Sequence, residues 1–167
     1  MKSIFAIITF LFTSGYVYSQ TAEYVKGKGY EGYVFPKEHA IWGLPPEPNR
    51  YTPSQEDIAQ VEKVLQDSIG TDYVKSNQKM YKKPPINKRT LKKYVRQYVG
   101  YLTENNEIII WINFLHKDEY DEEDKPKDAD KINNEIITIF DGGYYFWRIT
   151  INLSTKKLSN MSVNGIS

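Results

Sequence analysis

Residues 94–115 read YVRQYVGYLTENNEIIIWINFL. Tyr94 to Leu102 and Ile108 to Leu115 are rich in β-branched and aromatic residues, and Glu104-Asn105-Asn106-Glu107 has the composition of a turn. Two adjacent strands are expected here. Leu91, Val95, Tyr98 and Leu102 also share a helical face, but Gly100 and the Tyr/Val content weigh against a helix.

Toward the C-terminus a second pair is expected, Glu135 to Phe140 and Tyr144 to Leu153, joined by the hairpin signal Asp141-Gly142-Gly143. Ser154 to Lys157 then leads to a last strand, Leu158 to Val163. In the fourth strand Tyr145, Trp147, Ile149, Ile151 and Leu153 alternate with Tyr144, Phe146, Arg148, Thr150 and Asn152. That pattern suits a sheet with one face on a core and one in water.

Toward the N-terminus the period becomes helical. Ile58, Val61, Val64, Leu65 and Ile69 make one apolar stripe, Thr52-Pro53-Ser54-Gln55 reads as a capping box with proline at the first helical position, and Gly70 is a stop. A helix is expected over 53–69. Residues 71–90 are polar, basic and broken by Pro84-Pro85, an extended excursion with at most a short helical turn. Residues 20–52 hold four Gly, four Pro and six aromatics, which predicts an irregular arm docked through Trp42 and Leu44. The expected fold is α+β: the arm, one long helix, then a four- to five-stranded antiparallel sheet wrapped on the helix. This element order over residues 53–163 resembles the cystatin-like arrangement and, more loosely, the NTF2-like cone.

The chain begins MKSIFAIITFLFTSGYVYSQ. Lys2, the apolar run Ile4 to Phe12, and Val17 and Ser19 before a cleavage point predict a signal peptide over 1–19. The expected product is a single exported domain, periplasmic or extracellular and soluble after cleavage, with residues 20–52 as arm and 53–167 as the α+β body. With Lys2 removed, 21 basic residues face 21 acids. A net charge of zero gives no global pull toward nucleic acid or an anionic membrane, and no later apolar stretch is long enough to span a bilayer.

The absence of cysteine excludes disulfides and cysteine nucleophiles. Of the two histidines, His39 reads as a surface or satisfied residue. His116, just before Asp118 and Glu119, is the weak catalytic candidate. Asp118 to Asp130 holds eight acids against Lys125 and Lys127, which makes Asp118, Asp121, Asp128 and Asp130 weak cation candidates; the spacing is not that of an EF-type loop. Lys75 to Arg96 holds nine cations and no acid, and the basic run carries Tyr73, Tyr81, Tyr94 and Tyr98. Such tyrosines can stack on bases, yet the balanced charge argues against nucleic acid, and both charge runs read as solvated faces. No cofactor is expected.

Gln97-Tyr98-Val99-Gly100 resembles the Gln-x-Val-x-Gly inhibitory loop of cystatins, but lacks one residue before the glycine and lies inside an expected strand. A second resemblance is to uncharacterised small exported bacterial proteins. It rests on Tyr94, Arg96, Gln97, Tyr98 and Gly100, on Ile110, Ile112, Asn113 and Phe114, on Asp141-Gly142-Gly143, and on Ser162, Asn164 and Gly165. It implies an envelope compartment and no chemistry. The leading expectation is a non-enzymatic binding or inhibitory module acting on a protein or envelope ligand. The alternatives are a small enzyme with a pocket near His116 and a loop carboxylate, and a structural envelope component.

Overall fold

The helix expected between residues 53 and 69 forms as α1, Gln55–Ser68, but its cap lies two residues later than Thr52. Ser54 Oγ accepts the Asp57 N–H at 3.2 Å, and Asp57 Oδ2 accepts the Ser54 N–H at 2.9 Å. The shift has a cause upstream: Arg50–Tyr51 is held extended as a short strand against Gly100 and Tyr101, so the chain turns into the helix only after Pro53. The computed structural model describes residues 21–45, 49–119 and 131–165. The expected signal peptide and most of the acidic run lie outside them.

The strands are β1 (Glu23–Gly27), β2 (Tyr30–Phe35), β3 (Arg50–Tyr51), β4 (Tyr94–Leu102), β5 (Ile108–His116), β6 (Phe146–Asn152) and β7 (Lys157–Val163); a short α2 covers Asp72–Ser76. They form one seven-stranded sheet in the order β1-β2-β4-β5-β6-β7, with β3 also on β4. The expected architecture of a four- to five-stranded antiparallel sheet, cystatin-like or NTF2-like, is therefore overturned. The arm supplies three strands, and β2 runs parallel to β4. β2 and β3 share one edge of β4, opposite Arg96 to Val99 and opposite Gly100 and Tyr101 respectively. Gly32 permits the first contact, since a Cβ there would lie 2.2 Å from the Arg96 carbonyl oxygen.

On one face α1 contributes Ile58, Val61, Leu65 and Ile69 to a core with Tyr98, Ile110, Ile112, Phe114, Trp147, Ile149 and Ile151. Trp147, Ile149, Ile151 and Leu153 are all buried, as the alternation in this strand requires. The second face is not wet as expected. Phe35 and Val99 pack there with Ile41, Leu44, Trp111 and Ile136, and Leu115 and Phe146 pack with Ile132 and Ile137. Burial on both sides explains why Ile108 to Leu115 reads as an almost unbroken apolar run.

The covering on the second face includes the segment expected as a strand, Glu135 to Phe140, and this expectation also fails. Both edges of β6 are already taken, by β5 and β7, so no ladder remains for it. It runs instead as a strap across the sheet. Asp141-Gly142-Gly143 ends the strap rather than turning a hairpin: Gly142 has φ +83°, the Gly143 N–H donates to the Gly165 carbonyl at 2.8 Å, and one 3-10 turn leads into β6. No helix among the described residues is long and apolar enough to cross a membrane.

Candidate functional site

The strap is held by side-chain amides that the strands place in a row. Gln97, Asn113 and Arg148 are register neighbours on β4, β5 and β6. Gln97 Nε2 donates to the carbonyls of Ile132 (2.8 Å) and Glu135 (2.7 Å), while its Oε1 accepts the Ile137 N–H (3.0 Å) and one N–H of Asn113 (3.0 Å). The other N–H of Asn113 goes to the Ile137 carbonyl at 2.8 Å. At the far end Asn164 Nδ2 donates to the carbonyls of Ile139 (2.6 Å) and Asp141 (2.9 Å). Three amides thus do what a neighbouring strand would do, which is to satisfy backbone groups that burial would otherwise leave unpaired.

Facing the strap is the turn Ile41–Leu44, closed by the Leu44 N–H donating to the Ile41 carbonyl at 3.3 Å. Its base is fixed by the buried Arg50, whose guanidinium donates to the carbonyls of His39 (2.8 Å), Gly100 (3.2 Å) and Pro36 (3.5 Å). Between turn and strap lies a groove of about 390 Å³. Trp111, Asn113 and Arg148 line it from the sheet, Ile41 to Leu44 from the turn, and Ile136 to Phe140 from the strap. Trp42 is 100% exposed and Phe140 91%, whereas most large apolar side chains of the described residues are buried. Arg148 is exposed, and its guanidinium makes no ion pair or hydrogen bond with a described residue. The groove offers flat aromatic faces, the Asn113 amide oxygen with no hydrogen bond from a described residue, and one cation.

The candidates taken from sequence lie elsewhere. His116 is buried, with its ring edge-on to Tyr94 (5.0 Å between centroids) and Tyr145 (4.9 Å), and it does not line the groove. Its Nδ1 accepts the Asp118 N–H at 3.3 Å and lies 3.5 Å from Asp118 Oδ2. Burial lowers its pKa from the ordinary histidine value, against the opposing pull of Asp118, so the ring is neutral at neutral pH. Of the cation candidates, Asp118 is exposed and among the described residues lies only against His116, while Asp121, Asp128 and Asp130 fall outside the described residues. Among the described residues no three His, Asp or Glu are grouped to hold a metal. His39 is half-buried with its ring edge on Phe35 at 4.9 Å. The Gln97-Tyr98-Val99-Gly100 run lies within β4, so it presents no inhibitory loop.

Sequence reasoning missed Arg148 and Phe140 as site residues, and took Trp42 for an anchor. The available signal was the placing of Gln97 and Asn113 in otherwise apolar strands, since a polar side chain at a buried position needs partners. Comparison of the chain with protein-family models, curated proteins and solved structures found no match.

Gln97→Leu tests the strap directly. It leaves the Ile137 N–H and two carbonyls without their partner, and the expected loss of stability is about 2–3 kcal/mol. Urea denaturation measures it; a loss below about 0.5 kcal/mol, within the range of ordinary surface substitutions, would mean that the strap does not depend on this amide.

Proposed function

We propose that this protein is an exported, non-enzymatic binding module that takes an acidic saccharide of the cell envelope in the groove between the 41–44 turn and the strap. The observation that carries this reading is the pairing of aromatic side chains at the groove, Trp42 and Phe140 almost wholly exposed and Trp111 half-buried, with a single cation, Arg148. Flat aromatic faces match the apolar faces of sugar rings. The Asn113 amide suits hydroxyl groups, and Arg148 suits a carboxylate. Its volume falls within the range of about 300–1,000 Å³ common for small-ligand sites.

Tryptophan fluorescence titration with uronic-acid oligosaccharides, against neutral ones of equal length, tests the reading. The acidic series is expected to bind, and Trp42→Ala and Arg148→Ala are each expected to weaken it by about tenfold or more, equivalent to about 1.4 kcal/mol. Both residues are exposed, so both variants should fold. Equal binding of acidic and neutral sugars, or no effect of either variant, would refute the proposal.

A further inference from the structure

The basic excursion between α1 and β4 is an ordered platform at one end of the sheet. Gln78, 1% exposed, accepts the Ile86 N–H on its Oε1 at 2.8 Å, and its Nε2 donates to the carbonyls of Ile86 and Val74, both at 3.3 Å. Tyr73 Oη accepts the Met161 N–H at 3.0 Å, and Tyr81 packs edge-on to Tyr144 at 5.9 Å. These contacts fix the segment where β4 and β6 begin and β5 and β7 end. Between Lys75 and Lys93 it carries eight cations, all exposed, and none makes an ion pair with a described residue. The only acid in the excursion is Asp72, at its start. Met80, which lies between Lys79 and Lys82 in the sequence, is 56% exposed.

We propose that this platform docks on an anionic lipid surface, with the lysines at the headgroups and Met80 at their apolar boundary. Three observations select that partner over a nucleic acid. The tyrosines of the basic run offer few stacking faces: Tyr94 and Tyr98 are fully buried, Tyr81 is turned onto Tyr144, and Tyr73, 37% exposed, is tied through its hydroxyl to the Met161 N–H. Seven of the eight cations are lysines, which act as point charges toward a diffuse anionic surface, whereas arginine suits the bidentate holding of one phosphate. An exposed methionine flanked in sequence by lysines also has no role on a soluble polyanion, but it matches an interface that is anionic outside and apolar within. This contact is separate from the groove and needs no ligand there.

The experiment is co-sedimentation of the full chain with vesicles of phosphatidylcholine, with and without 30% phosphatidylglycerol, at low and high salt. Binding is expected only to the anionic vesicles and is expected to fall with salt, since surface charges are screened within about 8 Å at physiological ionic strength. Each surface cation adds roughly fivefold to partitioning, so neutralising Lys79, Lys82 and Lys83 together to glutamine should reduce it on the order of 100-fold. Met80→Gln should reduce it several-fold at unchanged charge. Equal binding to both vesicle types, no binding to either, an unchanged triple variant, or binding of a single-stranded oligonucleotide without vesicle binding would each overturn the proposal. Circular dichroism of the variants separates a lost surface from a lost fold.

Discussion

Replacing Glu62 by alanine is expected to cost about 3–5 kcal/mol of stability, because it strands a buried guanidinium. Glu62 is 1% exposed on the inner side of α1, and Arg96 is completely buried on β4 beneath it. Arg96 Nε lies 3.2 Å from Glu62 Oε1, and the Tyr98 hydroxyl donates to the same oxygen at 2.8 Å. The remaining guanidinium donors reach the carbonyls of Tyr94 (2.6 Å) and Gly29 (3.4 Å). Arginine does not shed its proton in proteins, so without Glu62 the charge has only neutral partners, two carbonyls and the face of Phe114. A loss under about 1 kcal/mol in urea denaturation would show that water or another acid reaches Arg96.

The opposite deletion should behave differently, because a carboxylate can neutralise itself. Burial raises the Glu62 pKa above the ordinary carboxylate value, while Arg96 and Tyr98 pull it partly back. Arg96→Met keeps the volume and removes the pull, so the carboxyl rises further. A carboxyl whose folded pKa exceeds its unfolded one contributes stability that is full below the unfolded value and lost as pH rises through the folded value. Arg96→Met should accordingly lose more stability relative to the native chain at pH 8 than at pH 5, as read from urea midpoints. Equal losses at the two pH values would mean that Glu62 stays ionised without Arg96. Glu62→Leu combined with Arg96→Met should recover most of what either variant loses, as apolar replacement of a whole buried pair does.

The parts of this fold that were legible in sequence are those with a local cause. Tyr94 to Leu102, Leu158 to Val163 and the α1 stripe each carry their own period, and each forms an element close to where that period places it. The parts that were not legible depend on distant partners. Nothing local distinguishes Tyr30 to Phe35 from a Gly-punctuated loop; it becomes a strand because β4 offers a parallel edge and Gly32 allows the approach. Ile136 to Phe140 shows the reverse: its composition is that of a strand, but Gln97, Asn113 and Asn164 claim its backbone before any ladder can. At the end of the strap Gly143 is held by Gly165 through the backbone, beside the last of those three amides. Together they hold the strap that forms one wall of the groove. The groove itself was not legible, since Trp42, Arg148 and Phe140 come from three separate regions and meet only across the sheet.

Trp147→Ala is the second change expected to cost about 3–5 kcal/mol, the range for deleting a large aromatic from a core. Trp147 is 1% exposed and stacks on Phe114 with ring centroids 3.6 Å apart and planes 6° from parallel; Tyr94 meets it edge-on at 5.9 Å. The indole contribution is mainly apolar, because its Nε1 has no well-aligned hydrogen-bond partner among the described residues and meets only the Tyr94 hydroxyl at the limit of such a bond. Trp147→Phe keeps the stacked ring and gives up no such bond, so it should cost clearly less, about 1–2 kcal/mol. If phenylalanine costs as much as alanine, the Nε1–H is bonded in solution, and the core at this end of the sheet is partly polar. Trp147 and Arg148 alternate along β6: the Trp147 side chain packs in the core with the α1 residues, though the residue also borders the groove, and Arg148 lies in the groove. Trp147→Phe should therefore lower the melting temperature while leaving saccharide binding well below that temperature unchanged. Loss of binding without unfolding would show that the two faces of the sheet are coupled through β6.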